Sequence, residues 1–287
     1  MEHASSGLPS PIFLLGTQRS GTTLLTRILS AHPDIFIQNE LPLDTIFTPG
    51  ADVDAITANI NRHFNIRYKR DIQSFLESNN KRFWGLKDPQ LTEHLDALES
   101  FVPHSKFIVI VRDGRGVVNS YIENRWGLGT NAYTGALRWR REVEQQVRFT
   151  EKFPDACIIV KFEDLIEDHE NQLRKICEHL GITFNECMLD YHKEKMKYVP
   201  NKQNLNTNKA PSKTLATQWQ NKLSQKEVDI VNTYAGNMLH RFGYIETHKD
   251  QCLSGISKFY YKVHQAVLGE LQIQYRLKLP KLSKRFK

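Results

Sequence analysis

The stretch Ile12-Phe-Leu-Leu-Gly-Thr-Gln-Arg-Ser-Gly-Thr-Thr23 puts an apolar run, a glycine-bearing turn and the start of a helix in immediate succession. Four consecutive apolar residues, Ile12 to Leu15, predict a strand buried on both faces. A helix is predicted from about Thr22 to Ser30. Backbone N–H groups at such a turn point inward and the helix N-terminus adds partial positive charge, so the turn is an anion site. Gly16 and Gly21 permit the tight turn and the close approach of a phosphate. The segment Arg19, Ser20, Gly21, Thr22, Thr23 carries the chain from the turn into the helix. Enzymes of nucleoside triphosphates write this loop GxxxxGK[ST] and use the lysine on the β- and γ-phosphates. Here Thr22 stands at the lysine position and the cation is Arg19. That disfavours a kinase or GTPase and favours a ligand with fewer phosphates at this end. A glycine turn with no ligand is the plainer alternative.

The same alternation continues outward. Phe83–Lys87, Phe107–Val111 and Ile158–Lys161 predict further strands. Helices are predicted over Gly114–Asn124, Tyr133–Phe153 and Ser224–His240, and another ends near His179 with Gly181 as its C-cap. Short apolar strands separated by helices predict an α/β protein of the P-loop type, three layers deep, with a parallel sheet covered by helices on both faces. Tyr198–Thr217 is rich in Asn, Lys, Thr and Ser, and predicts a long loop. His32, followed by Pro33 where the first helix ends, reads as structural.

The strand Phe107–Val111 runs into Arg112-Asp-Gly-Arg-Gly116, with Ser120 eight residues beyond Arg112. Arg112 falls at the carboxyl end of a strand, the ligand edge of an open α/β sheet. Ser120 lies about two turns into the next helix. An arginine and a serine so placed can hold one phosphate from two directions. The alternative is a salt bridge of Arg112 or Arg115 with Asp113 or Glu123.

The 287 residues suffice for one large α/β domain or two small ones. The expected division is a domain over residues 1–250 and a basic, helical tail over 251–287. The net charge of +7 sits in that tail. From Lys258 onward eight cations face one anion, Glu270, and the other 31 basic and 31 acidic residues balance. The basic character is therefore not that of a nucleic-acid-binding body. Phe259, Tyr260, Val263, Val267, Leu271 and Tyr275 recur at near-helical spacing among the tail's lysines. Such a helix either contacts a membrane surface or a partner, or packs on its own domain. No apolar run approaches the roughly 20 residues that span a bilayer. Residues 1–11 lack the basic start and apolar core of a signal peptide. Cys157, Cys177, Cys187 and Cys252 form no CxxC pair and no zinc spacing, and read as buried free thiols. With no N-x-S/T acceptor in the chain, these features predict a cytoplasmic protein with no metal site.

Five segments carry a family resemblance: Thr17-Gln-Arg-Ser-Gly-Thr-Thr-Leu24, Ala31-His-Pro-Asp34, Lys87-Asp-Pro89, Ile110-Val-Arg-Asp-Gly-Arg115 with Ser120, and Lys161-Phe-Glu-Asp-Leu165. From about Ile12 to Gly243 the chain resembles the sulfotransferases that use 3′-phosphoadenosine 5′-phosphosulfate (PAPS) and release the bisphosphate PAP. It is most similar to the tyrosylprotein sulfotransferase branch and its bacterial relatives. The resemblance implies that Arg19 to Thr23 take the 5′-phosphosulfate and that Arg112 and Ser120 take the 3′-phosphate. It implies a catalytic base at Glu40, twenty-one positions after Arg19, and a transition-state cation at Lys87. Trp219 and Lys222 resemble an element whose lysine reaches the nucleotide. The chain departs from the branch at Phe162, where those members have tyrosine, and at Asn124, where an arginine is expected and Arg125 follows. It also lacks their membrane anchor and the cysteines beside the Glu40 and Lys87 motifs.

Sulfonate transfer resembles phosphoryl transfer, in which positioning and charge stabilisation supply most of the catalysis. Glu40 would take the proton of the acceptor hydroxyl, while Lys87 and Arg19 neutralise the developing charge. Phosphate is the leaving group, so two facing cations make a metal unnecessary. Duller roles exist for each residue: Glu40 as a surface carboxylate beside Asn39, Lys87 paired with Asp88, Lys222 simply solvated. The sequence thus predicts a sulfotransferase acting on a tyrosyl, carbohydrate, lipid or small-molecule hydroxyl. The alternatives are a P-loop phosphotransferase and a non-catalytic nucleotide-binding protein. By the resemblance alone, Asp44–Arg82 supplies part of the acceptor pocket.

Overall fold

The structure is a computed structural model, and it describes residues 8–193, 213–247 and 252–283. The chain divides into two units, one of residues 1–111 and 146–212, the other of 112–145 and 213–287. The boundary expected at residue 250 falls inside the second unit.

The first unit is built on a parallel sheet of five strands: β1 (Ile12–Leu15), β2 (Ile35–Asn39), β3 (Phe83–Lys87), β4 (Lys106–Val111) and β5 (Cys157–Lys161). Their order across the sheet is β2-β3-β1-β4-β5. Every residue of β1 is buried, as its unbroken apolar run requires when both faces are covered. On one face Phe13 stacks on Phe107 and meets Phe101 edge-on, while Phe107 meets Phe149. The helix Thr22–Ala31 buries Leu24, Leu25, Ile28 and Leu29. The helix His169–Leu180 buries Leu173, Ile176 and Leu180 and closes on left-handed Gly181, the C-cap expected there. With helices around a parallel sheet, this is the P-loop-type three-layer α/β fold.

Among the elements of this unit that carry no mark in the sequence reading are β2 and the two longer helices after it. β2 pairs with β3 at the edge, and the helices Val53–Tyr68 and Ile72–Ser78 follow it. Phe36 of β2 packs against Phe64, Tyr68 and Phe75 of those helices. Asp52 and Asp71 cap the two helices by accepting from Ala55 and Ser74 N–H.

From β1 the chain moves one way to β2 and β3, and after β3 it moves the other way to β4 and β5. The β1–β4 pair is therefore the topological switch point, with the loop after β1 at the carboxyl edge where open α/β sheets bind ligands.

The second unit holds the helices Gly114–Asn124, Lys213–Thr217, Gln225–Arg241 and Gly255–Ser283, together with the first part of Ala132–Lys152. Trp139 is its centre. A Cβ on Gly114 would lie 2.9 Å from that indole, and the indole Nε1–H donates to Arg112 O at 3.1 Å. Ser224 and Glu227 form a reciprocal capping box at the start of Gln225–Arg241. Most of the loop expected over Tyr198–Thr217 lies outside the described residues. Its end is a correction, because Lys213–Thr217 forms a short helix, one of whose carbonyls serves Arg112.

All four cysteines are free. Burial pushes the Cys157 thiol up to about 12 and the Cys177 thiol up to about 11. Cys187 and Cys252, expected to be buried, are exposed instead. Cys187 sits in the short helical turn Glu186–Met188, and Cys252 lies just ahead of the Gly255–Ser283 helix.

Candidate active site

The loop after β1 is shaped by its two glycines. A Cβ on Gly16 would lie 2.8 Å from the Ile110 carbonyl oxygen and from Ser20 Oγ. Gly21 has φ +103°, and a Cβ there would come within 2.5 Å of the Phe162 ring. Only glycine fits either place. Phe162, where a tyrosine was the expected family residue, is thus the wall against which the loop turns. Ser20 closes the turn: its N–H and its hydroxyl both donate to Thr17 O, at 3.1 and 2.7 Å. Arg19 lies in the left-handed region at φ +72°, a strained setting for a non-glycine residue, and one that clusters at functional sites.

The helix that follows starts at Gly21 with no side-chain cap and with no acidic residue in its first turn. The first N–H groups of a helix have no intrahelical partner. Thr17 Oγ1 is buried with no hydrogen-bond partner among the described residues. Uncapped N–H groups, a stranded hydroxyl, Thr22, Thr23 and Arg19 on one short loop suit an anionic group.

A second group in the same unit lies at the ends of β2 and β3. Glu40 follows β2 with φ +43° and donates its N–H to Lys87 O at 2.9 Å. Its carboxylate Oε1 accepts from Lys87 Nζ at 2.8 Å. The lysine side chain is 1% exposed and the glutamate 58%. Lys87 therefore pairs with Glu40 and not with Asp88. Arg67 donates to Asn39 O at 2.9 Å and to Glu40 O at 3.3 Å, which fixes the backbone of that turn. Asp88 accepts from Gln90 N–H at 2.9 Å. Burial raises its carboxyl to about 6. The nearby Glu40 and Glu93 charges add to that rise, against the Gln90 bond and Lys87.

In the second unit, Arg112 follows directly on β4 and donates to Leu215 O. Its guanidinium lies against Gly116, where a Cβ would be 3.2 Å from Nε. Ser120 is buried, and its Oγ accepts from Asn124 Nδ2 at 2.9 Å. Asn124 thus stands in the expected arginine's place as a neutral partner of Ser120. Arg115 is consumed structurally. It makes a two-pronged pair with Asp113, donates to Tyr244 O at 2.8 Å and stacks on Trp219 at 4.2 Å. The salt bridge weighed for this segment is real, and it belongs to Arg115. Lys222 pairs with Glu123 at 2.6 Å and is about half exposed. His32 is structural, with Nδ1 accepting from Asp34 N–H and Nε2 donating to Thr183 O.

The profile of the Sulfotransferase family matches residues 11–186, more than half of the chain. This chain belongs to that family. It is similar to protein-tyrosine sulfotransferase 1 of Danio rerio, 28% identical over 199 residues, and to protein-tyrosine sulfotransferase 2 of Gallus gallus, 27% identical over 203. Each match takes in 64% of this chain but only 56% and 54% of those relatives, so the chain spans about half their length. Among solved structures it is similar to the sulfotransferase domain from the curacin biosynthetic pathway, with a TM-score of 0.61 and 20% identity. That match covers 83% of this chain and 99% of that one. The sulfotransferase fold and the enzyme class follow.

Three residues that the structure brings to these two groups, the loop after β1 and the ends of β2 and β3, were not among the candidate site residues of the sequence. Thr17 and Asp88 stand inside the quoted motifs, which were their available signal. Arg67 lies in the unmarked helix Val53–Tyr68, and only the fold brings it to Asn39 and Glu40.

Proposed function

We propose that this sulfotransferase takes its sulfonate from PAPS, releases PAP and delivers the group to an acceptor hydroxyl, with tyrosyl hydroxyls of proteins as the leading acceptor class. The observation that carries the reading is the pairing of a half-exposed Glu40 carboxylate with a buried Lys87 ammonium, in the unit that also holds the anion loop.

The donor supplies a sulfonate attached to a phosphate leaving group. Arg19, Ser20, Gly21, Thr22 and Thr23 would hold its 5′ end, and the stranded Thr17 hydroxyl fits the same task. Arg112 and Ser120 would hold the 3′-phosphate, with Lys222 a further cation for the nucleotide. Glu40 Oε1 accepts the proton of the incoming hydroxyl. Once protonated, Glu40 no longer neutralises Lys87, and the Lys87 cation is released to face negative charge developing on the transferred group. Relatives named protein-tyrosine sulfotransferases support the tyrosyl acceptor. Cytoplasmic residence belongs to the same proposal, supported by the four free thiols.

Calorimetric titration with PAP in magnesium-free buffer tests the donor. Saturable binding that AMP and ATP fail to displace supports it, and no binding sinks it. Transfer of radiolabel from PAPS to tyrosyl peptides, simple phenols and sugars then tests the acceptor. Labelling of sugars but not of tyrosyl peptides would replace the tyrosyl reading.

A further inference from the structure

The helix Gly255–Ser283 is amphipathic in an inverted sense. Its polar side chains face its own unit. Gln265 Oε1 accepts from Thr130 N–H at 2.7 Å, and its Nε2 donates to Gly127 O at 2.6 Å. Gln272 accepts from Gly127 N–H at 2.9 Å, and Arg276 donates to Arg125 O at 3.1 Å while stacking on Trp126 at 4.0 Å. Gly269 lies against the backbone of Gly127. These bonds fix which face of the helix is turned inward.

The opposite face is open and mostly apolar, with the exposed, mutually hydrogen-bonded Glu270 and Gln274 also on it towards the C-terminal end. Ile256 is 84% exposed, Phe259 69%, Tyr260 62%, Val267 58% and Leu271 60%, with Val263 between them at 43%. At 3.6 residues per turn these six fall within about 60° either side of one line, over a run of about 22 Å. Single exposed apolar residues are ordinary, but a continuous row of this length marks a surface that something covers. Among the described residues, no helix is long and apolar enough to cross a membrane.

Charge decides what covers it. Exposed Lys262 lies about 120° round the helix from the line of the stripe and half-buried Lys258 lies on the inward face, over the Tyr234 ring, while the sequence from Lys258 to the end carries eight cations against Glu270. A second copy of this chain would bring the same positive surplus to the contact, so self-association along this face is opposed. An anionic bilayer answers both features. Aliphatic side chains at the centre of the stripe enter the acyl boundary, Phe259 and Tyr260 sit at its margins, and the positive surplus of the tail is drawn to lipid phosphates. We propose that the Gly255–Ser283 helix lies flat on an anionic membrane surface with Ile256, Val263 and Val267 inward, and holds the enzyme there as a peripheral protein.

The test is co-sedimentation of the full chain with vesicles of phosphatidylcholine alone, and of phosphatidylcholine with phosphatidylserine. The expected result is binding to the anionic vesicles only, weakened by salt. It should fall by roughly tenfold or more in the triple variant Val263→Ser, Val267→Ser, Leu271→Ser. Lys262→Glu should weaken it as well. These side chains face outward, so the variants should melt with the wild type and keep its turnover of a soluble acceptor. Equal sedimentation with both vesicle types, or none with either, would overturn the proposal. So would a wild-type dimer in light scattering that the triple variant converts to monomer, since that assigns the stripe to a second copy.

Discussion

Lys87 and Glu40 are joined twice, once by backbone from Glu40 N–H to Lys87 O at 2.9 Å and once by side chains from Lys87 Nζ to Glu40 Oε1 at 2.8 Å. The parallel register that sets Asn39 opposite Lys87 produces both contacts. Glu40 adopts a left-handed backbone at the residue after the strand, and this turns its carboxylate back on the lysine. A carboxylate and an ammonium, the proposed base and cation, are thereby positioned by the sheet itself. Glu40→Gln keeps the shape and removes the proton acceptor. The expected outcome is a loss in kcat of roughly 100- to 10,000-fold with PAP affinity unchanged, measured by single-turnover transfer and calorimetry. A variant with wild-type kcat would leave Glu40 as an ordinary half-exposed carboxylate.

Lys87 separates activity from stability. Its side chain is 1% exposed while its ion-pair partner is 58% exposed, so removing the ammonium leaves Glu40 solvated, and the buried group that loses a favourable charge is Asp88. Removing one member of a pair is costly when the other is left buried, and here the member left is in water, while an apolar chain of similar volume avoids the desolvation of the cation. Lys87→Met is therefore expected to melt close to the wild-type temperature and to lose roughly 100-fold or more in turnover, as removal of a charge-stabilising donor does elsewhere. A lower melting temperature with activity retained would make the pair structural.

Asp88 gives the fold a pH dependence of unusual sign. The folded protein holds its proton to about pH 6, because burial and two neighbouring carboxylates disfavour the charge, whereas the unfolded chain loses it near the ordinary value of 3.8. Between about pH 4 and 6 the folded state binds more protons, so Asp88 makes stability fall as pH rises through that window, with the loss complete above it. Asparagine can still accept from Gln90 N–H, the capping bond at that position. Asp88→Asn should thus be more stable than wild type by about 2–3 kcal/mol at pH 7.5 and nearly equal to it at pH 4. Denaturant midpoints at the two pH values check this, and a pH-independent difference would count against it.

What could be read before the fold was known follows local chemistry. Ile12–Leu15, the glycine turn and the helix from Thr22 are dictated by neighbours in sequence, and each stands where its residues placed it. Gly114–Asn124 and the C-cap at Gly181 were legible for the same reason. β2 escaped because Ile35-Phe-Ile-Gln-Asn is short and owes its place to pairing with β3, a partner forty-eight residues on. Val53–Tyr68 escaped because only Ile56, Ile60 and Phe64 are buried, too thin a stripe among polar residues to declare a helix. The Lys87–Glu40 pair joins segments forty-seven residues apart, and spacing alone left Asp88 as an equal partner. The division of labour between Arg112 and Arg115 needed Trp219, Tyr244 and Leu215, all more than a hundred residues away in sequence.

That division yields the last prediction. Arg115 is spent on Asp113, on the Tyr244 carbonyl and on the face of Trp219, and its side chain is 13% exposed. Removing it breaks the Arg115–Asp113 pair, and breaking a buried pair costs about 3–5 kcal/mol. Arg112 contributes a bond to the Leu215 carbonyl and, with Ser120, is the residue proposed for the 3′-phosphate. Loss of one charge-assisted hydrogen bond to a phosphate is worth about 1.5–3 kcal/mol, or roughly 10- to 150-fold in affinity. Arg112→Ala should therefore weaken PAP by that factor while binding of adenosine 5′-phosphosulfate, which lacks the 3′-phosphate, changes little. Arg115→Ala should melt several degrees lower and, at a temperature where it stays folded, keep its preference for PAP over the ligand without a 3′-phosphate. Calorimetry with the two ligands on both variants checks the assignment. Should the two ligands weaken alike in Arg112→Ala, that arginine has no particular business with the 3′-phosphate; should Arg115→Ala erase the preference, the phosphate contact belongs to Arg115.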